Sequence, residues 1–231
     1  MKKLFLFFVL TGMFYLSACG TKDSNPSGPS VSDPRLSVIN GSILANTDTR
    51  LAIDSDTVNY NFVSGSVLPY RTLSIGNHRV TIKYKTLQST GSSTLGLDYN
   101  GDQRYTMFVY DNLIPGIGST VNLTRVQDNR SNPSGGNCKL RVAYFSTDAG
   151  TLRVEISGSS NTFSGLSNGT VSDFREFAGS SATANVIQVA TGETLASTSL
   201  NLQNGSFYTL MISGKLRASS PRIDVKLINQ D

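Results

Sequence analysis

The chain predicts an all-β fold: two tandem Ig-like antiparallel β-sandwich domains behind a signal peptide and a flexible tether. Three observations lead there. Short segments alternate apolar and polar side chains with period two, the pattern of half-buried strands. Asn-Gly pairs at Asn100-Gly101, Asn168-Gly169 and Asn204-Gly205 mark tight hairpins, because both positions accept positive φ. The chain also repeats itself at an offset of about 104 residues. Composition agrees: charged residues are 16% of the chain and Trp is absent, while Ser, Thr, Gly and Asn are abundant. No stretch after the leader shows sustained helical periodicity.

Residues 1–18 read as a lipoprotein signal peptide. Lys2 and Lys3 supply the basic start, and an apolar core runs from Leu4 to Leu16, interrupted by Thr11 and Gly12. That core is shorter than the roughly 20 residues a spanning helix needs. Ser17 and Ala18 are small enough for a peptidase cleft, and Cys19 follows where cleavage leaves it N-terminal. Its thiol is the nucleophile that takes a diacylglycerol, so Cys19 is the expected lipid attachment site. Each buried methylene contributes about 0.8 kcal/mol, and two or three chains anchor firmly. Gly20 follows the Cys, where no Asp argues for inner-membrane retention. The expectation is a bacterial cell-envelope lipoprotein of the outer membrane, with its facing open. Residues 19–34 then form the lipidated Cys and tether, with Ser24-Asn25-Pro26-Ser27-Gly28-Pro29-Ser30 offering almost nothing to bury.

Residues 35–127 and 138–231 read as the two domains, joined by a polar linker at 128–137 that carries Pro133 and the pair Gly135-Gly136. Three anchors recur in order. Arg35-Leu36-Ser37-Val38 matches Lys139-Leu140-Arg141-Val142. Gly65-Ser66-Val67-Leu68-Pro69-Tyr70-Arg71 matches Gly169-Thr170-Val171-Ser172-Asp173-Phe174-Arg175. Arg104-Tyr105-Thr106-Met107 matches Phe207-Tyr208-Thr209-Leu210. Within the units, Val80, Ile82 and Tyr84 alternate with charged neighbours as a half-buried strand. Tyr105 to Tyr110 and Phe207 to Ile212 are apolar on both faces and read as central strands covered on both sides. Ile223, Val225 and Leu227 alternate in a last strand.

The run Gly65 to Leu73 followed by Gly76-Asn77-His78-Arg79-Val80-Thr81-Ile82, and its second copy from Gly169 to Phe174 with Gly192 to Thr198 and Asn204 to Leu210, resembles the DUF4397 family of bacterial exported proteins. The family's opening strand runs into an Ala-Ser-Pro-Asp-Ala turn. Here the second copy has Phe145-Ser146-Thr147-Asp148-Ala149, and the first departs further with Asn40-Gly41-Ser42 and a longer loop. The resemblance covers nearly all of residues 35–215 and implies tandem β-sandwich modules at the cell envelope. It implies no catalytic residues and no cofactor.

Candidate sites are few. His78 is the sole His, placed in a turn entering a strand with no Gly-x-Ser-x-Gly elbow nearby, and it reads as a solvent-facing turn residue. Asp54 and Asp56, and Asp98 and Asp102 in a second oxygen-rich turn, form a candidate weak Ca²⁺ site without the closing bidentate Glu; solvated hairpin tips are the competing reading. Tyr60, Phe62 and Tyr99, with Tyr70 and Tyr110, look exposed and form a candidate sugar-stacking surface; core aromatics are the alternative. Asp56-Thr57-Val58 resembles a short bacterial O-glycosylation acceptor. If Cys19 is lipidated, Cys138 has no intrachain partner, and its place at the start of an apolar strand points to a buried thiol. Without Lys2 and Lys3, the 20 basic residues become 18 against 16 acidic, a net +2, and no Lys/Arg run of five occurs. No nucleic-acid partner is therefore expected. The expected partners are a membrane, through the lipid, and a glycan or envelope protein. The role expected is non-enzymatic binding or spacing, with glycan or peptide capture for uptake or adhesion as the alternative.

Overall fold

The computed structural model describes residues 31–85, 90–116, 118–216 and 223–231, so Cys19, the signal peptide and most of the tether lie outside the described residues. Val31 to Asp231 make one compact unit. The strands in chain order are β1 (Arg35–Asn40), β2 (Arg50–Ile53), β3 (Asp56–Asn59), β4 (Val67–Thr72), β5 (Gly76–Lys85), β6 (Thr90–Tyr99), β7 (Arg104–Ile114), β8 (Gly118–Gln127), β9 (Asn137–Ser146), β10 (Leu152–Ile156), β11 (Thr162–Leu166), β12 (Thr170–Val171), β13 (Arg175–Ala178), β14 (Ser181–Gln188), β15 (Thr194–Asn201), β16 (Phe207–Gly214) and β17 (Asp224–Asn229).

These strands build two β-sandwiches. In the first, a β4-β1-β7-β8 sheet lies against a β3-β2-β5-β6 sheet. In the second, a sheet of β12 and β13, β9, β16 and β17 lies against β11-β10-β14-β15. Pairing is antiparallel except for β1 with β7 and β9 with β16, which run parallel. A parallel pair cannot be closed by a hairpin. The chain therefore makes the β2–β6 excursion between β1 and β7, and the β10–β15 excursion between β9 and β16. The register repeats the sequence: Leu36 faces Tyr105 and Val38 faces Met107, as Leu140 faces Tyr208 and Val142 faces Leu210.

Each sandwich has its own core. Leu36, Val38, Leu51, Val80, Ile82, Tyr105 and Met107 fill the first; Leu140, Val142, Val154, Val186, Tyr208 and Leu210 fill the second. Tyr105 and Tyr208 fix the same corner in each copy. Their hydroxyls accept the N–H of the residue five positions upstream, Asn100 at 3.2 Å and Gln203 at 3.0 Å. Cys138 is a free, buried thiol in the second core, and burial pushes its pKa up.

The strands that read as covered on both sides are covered on the second side by the other sandwich. Tyr105, Met107 and Val109 face their own core, while Phe108 faces outward into a third apolar cluster with Ile39, Ala143, Phe145, Met211 and Ile228. Matching positions meet crosswise here. Phe108 lies 5.5 Å from Phe145, ring centre to ring centre. Met211, the match of Phe108, lies over Gly41, the match of Phe145. A Cβ on Gly41 would come within 2.6 Å of the Phe145 ring, so glycine is what lets the two sheets close.

Three expectations are corrected. Phe62 and Tyr99 are fully buried, not exposed. Tyr99 shares the inward face of β6 with Leu95 and Leu97, opposite Thr94, Gly96 and Asp98. Phe62 is turned inward because its N–H donates to the Thr49 carbonyl and its own carbonyl accepts Asn40 Nδ2. His78 is not a turn residue facing solvent: it lies in β5, its side chain 12% exposed.

Candidate functional site

The sole His of the chain sits among the groups that a hydrolytic triad requires. His78 Nδ1 lies 2.8 Å from Asp54 Oδ2, and Nε2 lies 3.2 Å from Ser74 Oγ. The hydrogen-bond directions decide what this arrangement can do. Nε2 is also 2.8 Å from the Ser74 carbonyl oxygen, which can only accept. The carbonyl favours a proton on Nε2, and the Asp54 carboxylate favours one on Nδ1. The hydrogen bond to Asp54, helped by the Ser74 carbonyl, raises the His78 pKa against the opposing effect of burial. A general base needs a free lone pair directed at the hydroxyl, whereas Nε2 is shared between the Ser74 hydroxyl and the closer Ser74 carbonyl.

Asp54 has a backbone role as well. It adopts φ 56°, a left-handed conformation that Asp tolerates. Its N–H donates to the Arg79 carbonyl at 2.7 Å, and its Oδ1 accepts the Arg79 N–H at 2.9 Å. Those bonds, with His78 second in weight to Arg79, hold its carboxyl below the usual range. The second sandwich does the same thing without a charge. Ser157 N–H donates to the Thr183 carbonyl at 2.8 Å, and Ser157 Oγ accepts the Thr183 N–H at 2.8 Å. Asp54 thus closes a strand end as Ser157 does, and His78, matched by Ala182, adds a clamp to the β4–β5 corner.

The other predicted carboxylates are not gathered. Asp98 Oδ1 accepts from Asn77 Nδ2 at 3.1 Å, and Asp102 Oδ1 accepts the Ser32 N–H and hydroxyl at 2.8 and 2.6 Å. Asp56 stands exposed at the start of β3. Among the described residues no three His, Cys, Asp or Glu side chains come together to hold a metal ion. Of the aromatic set, Tyr60 alone stands well clear of the surface, 70% exposed, with the Arg50 guanidinium 5.9 Å from its ring centre. Tyr70 and Tyr110 line the junction between the sandwiches: Tyr70 bonds Asp128, and Tyr110 stacks on Phe145 at 5.3 Å.

Sequence reasoning missed the polar centre of that junction. Asp128, assigned to a solvated linker, has a fully buried side chain, and Arg141 is 2% exposed. Arg141 Nη1 donates to Asp128 Oδ1 at 2.5 Å, Nε donates to Thr209 Oγ1 at 2.9 Å, and Nη2 donates to Gln230 Oε1 at 3.0 Å. Asp128 Oδ2 accepts from Tyr70 at 2.6 Å and from Thr106 at 2.8 Å. Gln230 Nε2 returns to Thr106 at 3.1 Å. Burial first, then the Asp128 charge, pushes the Tyr70 hydroxyl up to about 12. The guanidinium also lies 4.5 Å from the Phe174 ring centre. A buried ion pair with its remaining donors and acceptors satisfied fixes geometry more than it adds stability. Arg141 lies in β9 between the apolar Leu140 and Val142, and nothing within the strand marks it as buried.

A family model described as "Domain of unknown function (DUF4397)" matches residues 34–155, more than half of the chain, and the chain belongs to that family. The match takes in the first sandwich and continues through β9 and most of β10 of the second. No curated protein matches.

Proposed function

We propose that this DUF4397 chain is a lipid-anchored cell-envelope protein that presents its two sandwiches to a partner without catalysing a reaction. The observation that carries the proposal is Leu16-Ser17-Ala18-Cys19, placed after a basic start and a short apolar core. The Pro/Gly/Ser-rich segment that follows supports it as a spacer, and an outer-membrane location is the reading preferred. The non-catalytic part is supported by His78, whose ring nitrogens lie 2.8 Å from Asp54 Oδ2 and 2.8 Å from the Ser74 carbonyl, both acceptors. A net charge of +2 after the leader, without a basic run, supports a glycan or envelope protein as partner over a nucleic acid.

The test is fractionation of cells expressing the wild-type chain and Cys19→Ala. The wild type partitions with membranes and into detergent. The variant is released, or accumulates as an uncleaved precursor. Unchanged detergent partitioning of the variant overturns the anchor. A second reading, capture of a glycan or peptide for uptake or adhesion, is favoured by the exposed Tyr60 ring with Arg50 beside it.

A further inference from the structure

We propose that the outer face of the β3-β2-β5-β6 sheet binds an acidic polysaccharide through Arg50, Lys83 and Lys85. This deepens the capture reading and does not depend on the anchor. Arg50 and Lys83 stand directly opposite each other across the β2–β5 ladder, and Lys85 lies two residues further along β5 on the same face. Like charges in directly opposite positions weaken a strand pair, so the fold alone does not favour this placement. Asp48 lies beside them, its carboxylate 3.6 Å from Arg50. Lys83 and Lys85 make no ion pair among the described residues. Arg50, Lys83 and Lys85 line a depression of about 400 Å³ together with Asp48, Thr90 and Ser92.

Two further features select a charged sugar chain. Tyr60 offers an open aromatic face beside Arg50, suited to stacking on a sugar ring while the cations meet its carboxylates. The patch is also local, on a chain of net charge +2, and lacks the extended field that steers proteins onto duplex DNA. Among the described residues the second sandwich carries no such set. Matching positions hold Arg153, engaged by Glu155 at 2.9 Å, and the apolar Ile187 and Val189. The cations sit at the Lys85 end of β5, away from Gly76, Tyr99 and the Ser32–Asp102 contact where the tether joins. Ten residues of strand separate the two ends by about 30 Å. A ligand at this patch therefore meets the end of β5 opposite the Ser32–Asp102 contact.

The experiment is calorimetric titration of the full chain in detergent with polygalacturonate oligosaccharides, with neutral dextran and duplex DNA as parallel arms. Polygalacturonate should bind in a salt-sensitive way and dextran should not. Replacing both lysines, Lys83→Glu with Lys85→Glu or the milder Lys83→Gln with Lys85→Gln, should weaken binding at least about tenfold. Arg153→Ala should leave it unchanged. Absence of polygalacturonate binding, equal binding by the lysine variants, or binding to DNA in preference to polygalacturonate each overturns the proposal. None of these results touches the anchor, which the Cys19→Ala fractionation reads separately.

Discussion

The two sandwiches are copies that agree inside and disagree outside. Leu36 and Leu140, Val38 and Val142, and Tyr105 and Tyr208 occupy equivalent core positions with the same residue and register. Where the copies face each other, Ser37 stands opposite in role to Arg141, Asp128 to Gln230, and Gly41 to Phe145. On the outer sheets, the exposed Lys83 and Lys85 correspond to the buried Ile187 and the exposed Val189. Core positions answer only to packing, which is the same problem in both copies. Facing positions answer to each other, and two identical charges there would repel. The chain resolves that with one acid from the first copy's last strand end and one base from the second copy's first strand.

The largest expected effect is at the unlike pair. Arg141→Ala leaves Asp128 buried without its partner and should destabilise the folded body by about 3–5 kcal/mol. Its match, Ser37→Ala, removes one hydrogen bond to the Leu68 carbonyl and should cost about 1 kcal/mol. Urea denaturation measures both, and equal losses would break the comparison. Next comes Gly41→Val, whose side chain must displace the Phe145 ring, with an expected loss of about 1–3 kcal/mol. At the like positions, Tyr105→Phe and Tyr208→Phe should each cost about 1 kcal/mol, and about the same in both copies.

The smallest effect is pH-dependent and confined to the first copy. The folded pKa of His78 is raised above 6.5, so its contribution is full below 6.5 and is lost as pH rises through the folded value. That of Asp54 is lowered from 3.8, so its contribution is present above 3.8 and is lost as pH falls through the folded value. The clamp is complete between those limits. Stability should therefore decline on the alkaline side in the wild type, and this decline should be absent in His78→Gln, because Ala182 supplies no counterpart in the second copy.

Strand alternation and the repeat made both sandwiches legible from the sequence, because a period of two and a shared turn chemistry are local signals. The β6 face of Leu95, Leu97 and Tyr99 carried the same signal, and it would have placed Tyr99 in the core had it been applied to the aromatics. The parallel β1–β7 and β9–β16 pairs were not legible, since nothing within a strand records which distant strand lies beside it. Asp128 and Arg141 were hidden for the same reason: each looks like a surface charge until the other sandwich covers it. His78 was misplaced because Asp54, in the turn after β2, reaches it only across the β2–β5 ladder.

The junction joins two like sandwiches into one body. This union is tested most directly by urea unfolding of the Cys19→Ala chain, followed at His78 by NMR for the first sandwich and at Cys138 by thiol labelling for the second. The wild-type junction predicts a single shared midpoint, and Arg141→Ala should pull the two signals apart. Two separate midpoints with the junction intact would contradict it.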